Sequence, residues 1–160
     1  MKKLLILLLA ILTLTGCTNE KTDGVKLDLD SIEDDLAGIA YSVNEDTKEI
    51  KFIFKDNITV TEEYMTSVYN VDFENVEDFL ISIPSTDTRA EMYAIVLPKD
   101  GKKNIVEKEM QKFIKSYQKE WTGKTQETMV KNVLTQSYGN YLIYIISNKS
   151  ETVFSTITGK

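Results

Sequence analysis

Residues 92–147, MYAIVLPKDGKKNIVEKEMQKFIKSYQKEWTGKTQETMVKNVLTQSYGNYLIYIIS, run through a strand, a long helix and a strand hairpin in succession. Met92 to Leu97 is a short apolar run with Tyr, Ile and Val, bounded by Pro98 and Gly101, and reads as a buried strand. Lys103 to Trp121 carries the strongest helical pattern in the chain. Val106, Met110, Phe113, Ile114, Tyr117 and Trp121 recur at helical spacing and make one broad apolar stripe. Val130 to Tyr138 and Tyr141 to Ser147 read as two strands joined at Gly139-Asn140, where Gly at the first central position suits a type II′ turn. Together these predict an α+β domain: a small antiparallel sheet with the long amphipathic helix packed on one face.

Working outward, Asp28 to Ala40 reads as a short N-terminal helix, capped by Asp30 or Ser31, with Ile32, Leu36 and Ile39 on one face. Glu49 to Lys55 alternates like a strand, with Ile50, Phe52 and Phe54 on one side. Thr59-Val60-Thr61-Glu62 has the form of a capping box opening a helix that runs to about Tyr69. Asp72 is placed to cap a second short helix, with Val76, Phe79 and Leu80 sharing a face, and Pro84 to Arg89 is a polar loop. Ser150 to Ile157 predicts a short C-terminal helix with Val153, Phe154 and Ile157 inward.

The first residues have another character. Lys2 and Lys3 precede an apolar run, Leu4 to Leu14, that closes on Leu14-Thr15-Gly16-Cys17. Basic, apolar and small-residue regions in this order are those of an export signal. The ending resembles the lipobox of bacterial lipoproteins, in which the Cys thiol is lipidated and the chain is cut before it. An apolar run of about eleven residues covers only about half of a ~30 Å bilayer core, too short to span comfortably, which favours a lipoprotein signal over a plain anchor or ordinary secretory signal. The expected organisation is therefore a signal peptide over residues 1–16, a lipidated Cys17 with a flexible tether over 17–26, and a single α+β domain over 27–160. A diacylglyceryl group supplies the two chains that stable attachment to the extracytoplasmic face of the cell membrane requires. The tether, Thr18 to Lys26, has a mean reach of roughly 15–18 Å as a flexible coil.

Composition narrows the chemistry. The 160-residue chain has no histidine, and Cys17 is its one cysteine. Disulfides within the chain, the usual zinc sites and Ser-His-Asp or Cys-His catalysis are excluded. No cofactor is expected. Cys17 to Pro98 holds 19 acidic and 6 basic residues, whereas Lys99 to Lys131 holds 9 basic and 5 acidic. So acidic a front half repels phosphates and argues against nucleic acid as a partner.

Tyr69-Asn70-Val71-Asp72, followed by Val76, Glu77 and Phe79, is similar to a Tyr-Gly-Ile-Asp turn and short acidic helix. With the apolar strand after Ala90-Glu91, the long Lys/Glu helix, and Tyr138-Gly139-Asn140-Tyr141 with its following strand, these residues resemble a family of small bacterial lipoproteins known as domain of unknown function 4358. Asn70 stands where Gly is usual, and the Pro-containing segment expected after the long helix is absent between Trp121 and Thr128. Asn tolerates the same positive-φ backbone. The resemblance implies a lipoprotein of mostly monoderm bacteria, and supplies neither an activity nor site residues.

Three motifs invite chemistry and lack its context. Ser116-Tyr117-Gln118-Lys119 matches S-x-x-K but lies deep in a helix without the accompanying elements of penicillin-binding enzymes. Asp28, Asp30 and the acids at 33–35 suggest calcium, yet the loop has no Gly at its sixth position and the cluster suits helix capping. Carboxylate pairs of the glycosidase kind exist in any acid-rich chain, and nothing singles out two. The remaining feature is Lys108, Lys112, Lys115 and Lys119, spaced to share the helix face opposite the apolar stripe. Such a face is either solvated or a contact about 16 Å long for an anionic surface: headgroups, an anionic wall polymer or an acidic envelope protein. The expected function is a non-enzymatic binding module at the cell envelope, with a small carboxylate-using envelope hydrolase as the alternative.

Overall fold

The computed structural model describes residues 24–160. The expected signal segment and Cys17 lie outside them. Two strands without a single charged residue, β5 (Met92–Pro98) and β7 (Tyr141–Ile146), pair at the centre of a five-stranded antiparallel sheet. β4 (Val76–Pro84) and β3 (Asn57–Thr59) extend it on one side and β6 (Leu134–Tyr138) on the other, giving the order β3-β4-β5-β7-β6. β1 (Ala40–Val43) and β2 (Ile50–Phe52) form a separate two-stranded hairpin. The helices are α1 (Leu29–Ala37), α2 (Glu62–Tyr69), α3 (Lys103–Glu120), α4 (Glu127–Lys131) and α5 (Ser150–Thr158).

The sheet is covered on both faces, not on one as the sequence suggested. Alternation along the central strands sends Met92, Ala94, Val96, Leu142 and Tyr144 toward α2, α3 and α4. Tyr93, Ile95, Ile143 and Ile145 go the other way, against α1 and α5. This explains why β5 and β7 read as unbroken apolar runs: neither of their faces meets water. α3 buries Val106, Met110, Phe113, Ile114 and Tyr117, the stripe its spacing predicted.

Other elements differ from the sequence reading. Val76 to Leu80 is not a helix but the start of β4. Its Phe79, Ile81 and Ile83 face the α3 side while Leu80 and Ser82 face α1. An irregularity between Val76 and Asp78 breaks the alternation, so Val76 shares the face of Phe79 and the pair mimics helical spacing. Asp72 caps no helix; its carboxylate accepts from the Glu74 amide at 2.8 Å within a turn. Thr61, not Thr59, caps α2, accepting from Tyr64 N at 3.2 Å, and Thr59 instead ends β3 and bonds the Glu33 carboxylate. Asp28 rather than Asp30 or Ser31 caps α1, which ends at Ala37, so Ala40 already belongs to β1. Of Glu49 to Lys55 only Ile50–Phe52 is strand; Ile50 is exposed, and Ile53 and Phe54 turn into the core. Residues 130–133 precede β6, because Glu127 accepts from Gly123 N at 2.8 Å and pairs with Lys131 at 2.5 Å, which favours the short α4. The hairpin turn keeps its expected form, with Gly139 at φ 60° between the paired Tyr138 and Tyr141.

The strand order gives the sheet two unlike ends. The chain arrives at the proximal end, where Leu27 N donates to Tyr141 Oη at 3.2 Å, and β5 finishes and α3 begins here. The 18 residues of α3 then carry the chain about 27 Å to the distal end. The loop 84–91 and the turn after α3 lie there, and so does the base of the β1–β2 hairpin, held by Arg89 and Lys149.

Candidate functional site

Lys108, Lys112, Lys115 and Lys119 are all exposed. At about 100° per residue they fall within about 60° of arc, directly opposite the buried stripe of α3. Lys112 pairs with Glu109 at 2.5 Å. The other three make no ion pair among the described residues. The structure therefore brings the four predicted residues together as an open basic ridge parallel to α3. Cys17, the other predicted site residue, lies outside the described residues.

A second feature sits at the distal end of α3, where a cleft of about 220 Å³ opens between α2, α3 and the loop 84–87. α2 supplies Tyr64 and Tyr69; α3 and the turn after it supply Tyr117, Glu120, Trp121 and Lys124. The i, i+4 spacing of Phe113, Tyr117 and Trp121 stacks their rings along the helix, at 6.0 and 6.3 Å between successive centroids. Tyr69 meets Phe113 edge-on at 4.9 Å, which ties α2 to this ladder. Tyr117 Oη donates to the Ala90 carbonyl at 3.1 Å. Glu120 is exposed as a residue, but its carboxyl lies against the rim, and that loss of hydration raises its pKa. The Tyr69 hydroxyl and the Lys124 ammonium oppose the rise. Burial, with the Glu120 charge adding to it, holds the Tyr69 hydroxyl above the usual tyrosine range.

Sequence spacing placed Tyr117 and Trp121 in the core stripe, and both are buried. It did not find the cleft, because Tyr64 and Tyr69 arrive from another helix and no local pattern records that meeting. The Glu120-Trp121 pair, an acid beside the only tryptophan, was the one local sign of it.

The third polar feature holds the distal end together. Glu91 is 3% exposed and is the only buried carboxylate among the described residues. Arg89 donates to it from Nε at 3.3 Å and Nη2 at 3.1 Å, while Nη1 reaches the Phe52 carbonyl at 3.0 Å. The same guanidinium lies 5.2 Å from the Tyr41 ring centre. Every polar atom here is used by the protein itself, so this is a clamp on the hairpin.

Among the described residues, no group of three or more His, Cys, Asp or Glu could hold a metal ion, and no helix is long and apolar enough to cross a membrane.

An antiparallel sheet between two helical layers, with a basic ridge and a small aromatic cleft, defines an α+β domain. Residues 53–147 match the profile of a domain of unknown function (DUF4358), and the chain belongs to that family. The matched span contains the ridge and the cleft, and leaves out α1, the β1–β2 hairpin and α5. Comparison with curated proteins and with solved structures gives no match.

Proposed function

We propose that this chain is a lipid-anchored, non-enzymatic binding module on the extracytoplasmic face of the cell membrane, attached through Cys17, with the α3 ridge as a contact for an anionic envelope component. The observation that carries the binding half is the ridge: four exposed lysines within one narrow arc, only one of them neutralised by a neighbouring acid. The ridge runs along about 16 Å of helix, from Lys108 to Lys119, and the expected flexible tether lets it turn toward an envelope partner.

The test is binding of the full chain, held in a non-ionic detergent, to purified anionic wall polymer. Each lysine near the polymer contributes up to about 1 kcal/mol at low ionic strength, screened as salt rises. Replacing Lys108, Lys112, Lys115 and Lys119 with Gln is expected to weaken binding at low salt and to leave the melting temperature within a few degrees. Equal binding by both proteins would remove the ridge from the account. The alternative, a small carboxylate-using envelope hydrolase, draws on Asp87 and Glu120, the two acids lining the distal cleft. It requires turnover of an envelope glycan that Glu120→Gln abolishes.

A further inference from the structure

The turn that ends α3 folds a cation back onto an aromatic ring. Lys124 N donates to the Trp121 carbonyl at 3.1 Å, and Gly123 between them takes φ 78°, a backbone position that glycine reaches without strain. The turn brings Lys124 Nζ to 4.7 Å from the centre of the Trp121 ring. Glu120, the residue before the tryptophan, lines the same cleft as Tyr69 and Lys124. Lys124 is exposed and forms no ion pair at bonding distance among the described residues. An ammonium thus already lies over the Trp121 ring, on an exposed side chain, in a cleft that Glu120 and Tyr69 also line.

We infer that the distal cleft is a binding site for an alkylammonium group, with Trp121 as the face it covers, Glu120 as its counter-ion and Lys124 as the internal occupant it displaces. The observations fit a compact cation better than a sugar. Trp121 is 5% exposed, so it offers no broad platform for a pyranose, and the Lys124 ammonium lies over its ring. The charged residues of the lining are Asp87, Glu120 and Lys124, so only acidic charges remain once Lys124 leaves. A cleft of about 220 Å³ beside Lys124 has room for a trimethylammonium head or the end of a primary amine chain. The inference stands apart from the basic ridge and from the anchor, and fails or holds without them.

Trp121 is the only tryptophan in the chain, so its emission reports on this site alone. The full chain in a non-ionic detergent is titrated at constant ionic strength with choline, with butylammonium, and with 3,3-dimethylbutan-1-ol, the uncharged isostere of choline. Saturable change in Trp121 emission is expected with the ammonium ions, together with upfield shifts of their methyl protons from ring shielding. The uncharged isostere is expected to bind at least about tenfold more weakly, equivalent to about 1.4 kcal/mol. Glu120→Gln is expected to weaken ammonium binding about tenfold while keeping the far-ultraviolet circular dichroism of the parent. Lys124→Ala is expected to bind choline about three- to tenfold more tightly, because the competitor and its like charge are gone. Preference for choline over butylammonium identifies a small quaternary solute as the source, and the reverse preference identifies an amine-bearing side chain or polymer. The inference is overturned by the absence of saturable change with either ion. Equal affinity for the uncharged isostere, or a Lys124→Ala protein that binds no more tightly, overturns it equally.

Discussion

Asn70 sits at φ 54°, ψ 42° as the C-cap of α2, with its amide on the Thr66 carbonyl at 3.1 Å. This is the left-handed region, which β-carbon sterics make costly for most residues and which Asn enters more readily than others. Replacing it with Gly is expected to leave stability unchanged or slightly raised, and Asn70→Ala to cost about 1 kcal/mol in urea unfolding. Here the sequence was fully legible, since an Asn where Gly is usual is a statement about backbone angles. Tyr144 was less so. Its hydroxyl is buried without a partner among the described residues, and burial pushes its pKa up to about 12. An unsatisfied buried hydroxyl costs on the order of 1–3 kcal/mol, so Tyr144→Phe is expected to match or exceed the parent in urea midpoint. A loss above about 1 kcal/mol would show that the hydroxyl has a partner, such as an ordered water.

At the scale of elements, the hairpin β1–β2 depends on groups far from it in sequence. Its outer part is exposed, including Tyr41, Val43 and Ile50, and an isolated two-stranded hairpin is marginal in water. Arg89 fixes its base through the Phe52 carbonyl while neutralising buried Glu91. Arg89→Ala leaves that carboxylate buried and unpaired, at an expected cost of about 3–5 kcal/mol. Faster amide exchange throughout residues 40–52 is the accompanying sign, and unchanged exchange there would mean that the hairpin does not need the clamp. The elements legible in sequence were those with long or uniform patterns: the α3 stripe, the apolar β5 run and the Gly139-Asn140 turn. β4 was illegible because a bulge put Val76 and Phe79 on one face at helical spacing. The second helical layer was illegible because the apolar residues of α1 and α5 do not say which face of the sheet they cover.

For the whole molecule, tyrosines on both faces of the sheet set an alkaline limit. Burial pushes Tyr93 up to about 12, with Ser82 opposing and Glu33 assisting, and Tyr144 stands at about the same value. Both hold their protons more tightly folded than unfolded, where the pKa is about 10. Their contribution is therefore complete below about pH 10 and is lost as pH rises from there toward 12. The midpoint of urea unfolding is expected to fall across that range, and a flat profile would contradict the burial of these hydroxyls. At this scale the chain is polar in the geometric sense, with its arrival at one end of the sheet and the aromatic cleft about 27 Å away at the other. The proposed function requires that the arriving end be fixed to a membrane. Metabolic labelling with a fatty-acid analogue, comparing the wild-type chain with Cys17→Ser, tests this most directly. Label is expected on a processed wild-type protein and none on the variant, which stays in its longer precursor form. Equal label on both proteins, or none on either, would contradict the anchor and with it the envelope module.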